Sequence, residues 1–270
     1  PFHSNSEQQE CQRALQHLEE VLMVEGPQTV AMIALETVVG TNGILVPPDG
    51  YLQGVREICN KHGIVMMCDE VMAGFGRCGE WFAVNKWNVT PDLICFAKGV
   101  NSGYIPLGGV VISQKIADTF RDRVFPGGLT YSGHPLACAA AVASINIFKE
   151  EKIVEHARML GKDVIGPALE KMKAKHQSVG DVRGLGVFWA IELVKNRETR
   201  EPYVPFNASG PDAKPMMDLI VACKERNLWP FTHFNRIHVV PPCNTPVEDV
   251  KKGLAIIDEV LDIADKHCKN

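Results

Sequence analysis

Three short apolar runs, each closed by a charged residue, constrain this chain more than any other feature. "TVAMIALE" ends at Glu36, "IVMMCD" at Asp69 and "PDLICFAK" at Lys98, and loops or a helical pattern separate them. Continuously apolar strands alternating with helices predict a mainly parallel sheet covered on both faces. In open sheets of that kind ligands bind in the crevice outside the carboxyl ends of the strands. Glu36, Asp69 and Lys98 all stand at that end.

The rest of the chain fits around this unit. Leu15, Leu18, Val21 and Leu22 give an amphipathic helix over residues 6–24. Asp49 is expected to cap a helix through "YLQGVREICNKH", which Gly63 closes. "GGVVIS" reads as a fourth strand. The pattern changes after "HPLACAAAVASINIF", and from Lys149 onward helix, strand and helix alternate differently. "VRGLGVFWAIELV" and "RIHVVP" read as strands of a second, smaller sheet. A closing helix with Val250, Leu254, Ile257, Leu261 and Ala264 in one stripe packs on it. Two lobes are expected, residues 1–148 and 149–270.

Composition excludes some functions. A net charge of −4 leaves no basic stripe for nucleic acid, and no apolar run approaches the ~18 residues needed to span a membrane. The nine cysteines show neither a CxxC pair nor a regular spacing, so no metal site and no disulfide framework is expected. A reducing compartment, the cytoplasm, is the expected home. The chain opens on Pro1 without Met, which leaves a mitochondrial address open.

Taken singly, an Asp at a strand end is most often a turn former, and a Lys after a strand is usually solvated. Together they suggest more. An amine at a strand end among Gly99, Gly103, Gly108 and Gly109 is placed to form a Schiff base with an aldehyde. A carboxylate on the neighbouring strand end is what a pyridinium nitrogen needs to stay protonated. Pyridoxal 5'-phosphate requires both partners, and the released lysine can then carry a proton.

The stretch "CDEVMAGFGRCGEWFAVNKWNVTPDLICFAKGVNSGYIPLGGVVIS" closely resembles the signature of class III, or ω-type, pyridoxal-phosphate aminotransferases. The resemblance continues through "GGLTYSGHPLACAAA" and "VRGLGVFWAIEL" to "VVPP". It implies an α/β chain of fold type I, with a large, mainly parallel-sheet domain and a smaller C-terminal α/β domain, acting as a homodimer. By the same resemblance Lys98 is the Schiff-base lysine, Asp69 the partner of the ring nitrogen and Val71 the apolar residue on the ring face. Thr130 reaches the cofactor phosphate of the neighbouring subunit. Arg77 ties the glycine loop together, and Trp81 and Phe82 are core. The implied activity is transamination of an ω-amino acid or amine (taurine, β-alanine or aminobutyrate type) with pyruvate or 2-oxoglutarate.

The chain also departs from the family. The Gly-Ser-rich phosphate turn and its stacked aromatic are missing, so the chain resembles the C-terminal part of such an enzyme and is expected to hold cofactor weakly by itself. Members of the ornithine and aminobutyrate type carry a glutamate in Glu-Pro-x-x-Gly-Glu that pairs with an arginine before the C-terminal Pro-Pro. Here "ETVVGT" gives Thr41, and His238 stands where the arginine would be. Arg236, on the same strand face as His238, is the nearest cation for a substrate carboxylate or sulfonate. Met72 and "NRIHVVPPCNTP" resemble the taurine and β-alanine branch. An aminomutase or racemase on the same fold and a catalytically incomplete fragment stay open as alternatives. A nicotinamide dehydrogenase is disfavoured, because no strand–helix unit with an acid ~20 residues on accompanies "GFGRCG".

Overall fold

The computed structural model describes residues 6–268. The helices are α1 (Glu7–Glu25), α2 (Tyr51–His62), α3 (Gln114–Asp118), α4 (Pro135–Glu150), α5 (Ile153–Met159), α6 (Gly166–Lys175), α7 (Lys214–Glu225) and α8 (Val247–Asp265). The strands are β1 (Met32–Glu36), β2 (Val65–Asp69), β3 (Leu93–Phe96), β4 (Gly109–Ile112), β5 (Val179–Leu185), β6 (Phe188–Asn196), β7 (Glu201–Pro202), β8 (Phe231–His233) and β9 (Arg236–Val239). The chain divides into two units. Among the described residues, one comprises 6–38, 47–75 and 80–152, and the other 39–46, 76–79 and 153–268.

In the first unit the sheet order is β1-β2-β3-β4. β1, β2 and β3 are parallel, and β4 runs antiparallel to β3. The expected parallel core is therefore present with one reversed edge strand. Its coverage is less complete than the apolar runs predict: Met66 and Cys68 of β2 are buried, whereas Met32, Val110, Val111 and Ile112 are exposed. The helix after the first strand begins differently from the expectation. Its N-cap is Gly50, at φ 92°, with no side chain capping it, so Asp49 lies outside the helix. Glycine suits that left-handed position because it has no β-carbon to clash. Gly63 closes the helix, as expected, at φ 70°.

The second unit holds an antiparallel sheet of order β5-β6-β9-β8, with β7 on β6. "VRGLGVFWAIELV" is a hairpin and not one strand, because the chain reverses at Gly186 (φ 54°) and pairs Leu185 with Phe188. One sheet face, with Val182, Ile191, Leu193 and Ile237, packs against Leu160, Leu169, Leu219 and the α8 stripe. Every residue of that stripe from Val250 to Ala264 is buried. The opposite face carries the charged residues described below.

Two glycines of "GFGRCG" sit at close approaches: a β-carbon on Gly74 would meet Glu70 O at 2.9 Å, and one on Gly79 would meet Arg158 Cα at 3.1 Å. A β-carbon on Gly186 would run into Gly79 N and the Cys78 carbonyl carbon, with Arg77 O 2.7 Å away. Arg77 Nη1 donates to Val187 O (3.1 Å) and Pro241 O (2.6 Å), so it ties this loop to the hairpin turn and to the Pro-Pro segment.

Candidate active site

The parallel register sets the site. Asp69, the last residue of β2, lies between Glu36 on β1 and Cys95 on β3. Neighbouring strands lie about 4.8 Å apart, and Lys98 follows Cys95 by three residues, roughly 10 Å of extended chain. The acid and the amine thus leave the same end of adjacent strands. Asp69 is half-buried, and its Oδ1 accepts a hydrogen bond from Val71 N at 2.9 Å. No partner occupies Oδ2 among the described residues. Val71, fixed by that turn, is half-buried beside it.

Lys98 opens a short 3₁₀ turn, is exposed, and holds φ 45°. A side chain larger than glycine rarely adopts that region, and conformations of this kind cluster at functional sites. Its Nζ has no hydrogen-bond or ion-pair partner among the described residues. Gly99 follows because a β-carbon there would come within 2.8 Å of Phe75 Cβ. Phe75 is itself at φ 52° and packs edge-on against Trp81 and Phe82. Trp81 and Phe82 are half-buried parts of this aromatic cluster.

Glu70, to which the sequence analysis assigns no role, is the most enclosed acid at the site, with 0% of its surface exposed. Its carboxylate accepts from Thr37 Oγ1 (2.7 Å), Ala83 N (2.8 Å) and Val84 N (2.9 Å). Burial pushes its pKa up, the Thr37, Ala83 and Val84 hydrogen bonds oppose that rise, and the neighbouring Asp69 adds to it. Behind it, burial pushes the Cys68 thiol up to about 12, so this sulfur stays protonated and inert.

Thr130 sits in an exposed turn in which Leu129 N donates to Ser132 Oγ and Ser132 N to Leu129 O. The structure does not bond it to Asp69 or Lys98. Arg236 belongs to the other unit, on the polar face of its sheet. Arg236 Nε donates to Glu192 Oε2 at 3.1 Å, and Arg183 Nη2 reaches the same oxygen at 2.7 Å. Arg183 also donates to Gly43 O (2.9 Å) and Asp181 Oδ2 (2.9 Å). Glu192 is partly desolvated, which raises its pKa, but Arg183 and Arg236 outweigh this and hold it below the usual carboxylate range. The Nη groups of Arg236 carry no partner among the described residues, a fork suited to a planar or tetrahedral anion. His238 lies on the same face, paired with Ala190 and against the Phe231 ring. Burial lowers its pKa to about 4, so it is neutral at pH 7 and cannot hold an anion by charge.

The chain's architecture is that of fold-type I, pyridoxal-phosphate-dependent transaminases. It is similar to a solved taurine:2-oxoglutarate aminotransferase from Bifidobacterium kashiwanohense, in complex with PLP and glutamate, at 42% identity and a TM-score of 0.92. That alignment covers 97% of this chain and 58% of the other. The chain belongs to the class-III aminotransferase family, whose pattern matches residues 1–261. Among curated relatives it is 37% identical over 241 residues to a 5-aminovalerate aminotransferase from Pseudomonas aeruginosa, covering 87% of this chain and 53% of the relative. It is 40% identical over 191 residues to a taurine–pyruvate aminotransferase from Bilophila wadsworthia, covering 68% and 42%. The chain spans about half the length of the curated relatives it matches.

Proposed function

We propose that this chain supplies the lysine and the acid of a pyridoxal-phosphate aminotransferase acting on an ω-amino acid or amine, with pyruvate or 2-oxoglutarate as acceptor. The observation that carries the reading is the placement of Asp69 and Lys98 at the same end of neighbouring parallel strands. A partnerless exposed amine and an acid with one free oxygen fit the two ends of the cofactor ring. Lys98 would hold the aldehyde carbon covalently, and Asp69 would keep the ring nitrogen protonated, with Val71 against the ring face. When bound, pyridoxal phosphate supplies the electron sink for the carbanion left when the donor loses a proton. Lys98 Nζ, once free, is the base placed to take that proton and return it.

Arg236 is the cation we assign to the acidic end of the substrate, supported by its unpartnered Nη groups and by the neutral His238 at the neighbouring position. The relatives' names, taurine–pyruvate and 5-aminovalerate aminotransferase, fit a donor with an acidic group remote from its amine. A homodimer in which Thr130 meets the partner's cofactor phosphate is supported by the exposure of this turn. The apolar side chains around it, among them Val124, Phe125, Leu129, Tyr131 and Leu136, are exposed as well. Free thiols at all nine cysteines suit a cytoplasmic home.

The test is to load the chain with pyridoxal phosphate and supply taurine, β-alanine, 5-aminovalerate and 4-aminobutyrate in turn with pyruvate or 2-oxoglutarate. Formation of alanine or glutamate supports the reading. An isomerised donor without acceptor turnover would assign an aminomutase instead. Cofactor binding with no conversion of any donor would assign a catalytically incomplete chain.

A further inference from the structure

We infer that Glu70 is a positioning residue that fixes both Asp69 and the Lys98 turn. This rests on the cofactor reading above and concerns a residue that touches neither cofactor nor substrate in it. Glu70 stands between Asp69 and Val71, the acid and the apolar contact assigned to the ring. Its own backbone is committed on both sides: Glu70 N donates to Cys95 O across to β3, and Glu70 O accepts from Gly74 N, both at 2.9 Å. A β-carbon on Gly74 would press on that carbonyl at 2.9 Å, so the turn after β2 closes tightly.

The side chain extends the same hold to the Lys98 turn. Glu70 Oε2 accepts the amide of Ala83 and Oε1 that of Val84, the residues that open the 3₁₀ turn Ala83–Trp87. That anchors the segment containing Trp81 and Phe82. Trp81 O in turn accepts from Phe75 N at 2.7 Å, and both aromatic rings pack on Phe75. Phe75 is the side chain against which Gly99 closes, one residue after Lys98. The path from the carboxylate to the Lys98 turn therefore runs through hydrogen bonds of 2.7–2.9 Å and close aromatic packing. Thr37, after the end of β1 and 1% exposed, supplies the remaining donor and locks the rotamer of Glu70 against the first strand. A buried carboxylate with three donors is costly to perturb, because each donor left unpaired loses its full hydrogen bond.

A purely structural Glu70 would lower stability when altered and leave the cofactor linkage unchanged in the folded fraction. A positioning Glu70 moves the linkage itself. The experiment compares the full chain with Glu70→Gln, Thr37→Val and Thr37→Ser, each titrated with pyridoxal phosphate. Visible absorbance reports the covalent linkage, its pH titration is recorded, and thermal melts without cofactor monitor folding. Thr37→Val removes one donor at nearly constant volume, and Thr37→Ser restores the hydroxyl.

The expected result is that Glu70→Gln and Thr37→Val weaken cofactor affinity by about tenfold to a hundredfold, the range found when hydrogen bonds supporting a liganding group are lost at metal sites. The titration midpoint of the absorbance band shifts in both variants, and Thr37→Ser behaves as the parent. If Glu70→Gln does not fold, the two Thr37 variants decide. Parent-like affinity and titration in folded Thr37→Val overturn the inference while the cofactor reading stands. A parent chain that forms no reducible linkage at any cofactor concentration overturns the cofactor reading itself.

Discussion

Replacing Gly186 with alanine isolates the close backbone approach that holds "GRCG" in the second unit. Gly186 has φ 54°, and an added β-carbon meets backbone on three sides: Gly79 N, the Cys78 carbonyl carbon and Arg77 O. Two costs combine. The left-handed conformation costs an L-residue about 1–2 kcal/mol, and forced overpacking costs about 1–3 kcal/mol, here toward the upper end because backbone atoms cannot rotate away. The expected loss is about 2–5 kcal/mol, and at about 4 °C per kcal/mol the unfolding midpoint of this unit falls by about 8–20 °C. Gly210 gives a matched control, since it has the same φ of 54° in the same unit and nothing within 4 Å of its would-be β-carbon. Gly210→Ala should show only the conformational part. Urea and thermal unfolding of both variants, followed by circular dichroism, measure the difference. Equal destabilisation of the two, within about 0.5 kcal/mol, would refute the packing argument.

Glu192 makes stability pH-dependent in a defined direction. Its folded pKa is depressed by Arg183 and Arg236, so its contribution is present above the unfolded value of about 4.3 and disappears as pH falls through the folded value. Glu192→Gln should lose about 1–3 kcal/mol at pH 7, with the gap to the parent closing on the acid side of pH 4 in urea titrations. Asp92 accepts Arg56 Nη1 at 2.6 Å and Met66 N at 2.9 Å, so Asp92→Asn should cost about 1–2 kcal/mol in the same assay. Arg236→Gln should raise KM for donors with a carboxylate or sulfonate by about ten- to a hundredfold, as expected for a charged hydrogen bond. The same variant should leave KM for an uncharged amine unchanged; equal effects on both donors would remove Arg236 from the substrate site.

The sequence made Asp69 and Lys98 legible because a buried parallel strand is apolar throughout and its first charge marks where it ends. The closing helix was legible for a similar reason: one buried stripe on a long helix leaves a periodic trace. Tight backbone geometry was not. Leu185, Val187 and Phe188 read as a continuing strand, and only the φ of Gly186 turns them into a hairpin. The cap before Tyr51 falls on Gly50 because its conformation is left-handed there, which the acid at Asp49 conceals. Glu70 leaves no local trace because its importance lies in donors from Thr37, Ala83 and Val84, each distant in sequence. The Arg183–Glu192–Arg236 fork depends on cross-strand register, which no single run of residues encodes.

The most direct test of the central claim is to reduce the cofactor-loaded chain with borohydride and locate the pyridoxyl group by peptide mass spectrometry. The account predicts one modified residue, Lys98, and a visible band that is lost in Lys98→Ala and displaced in Asp69→Asn. Modification spread over surface lysines, or a band that survives in Lys98→Ala, would contradict it.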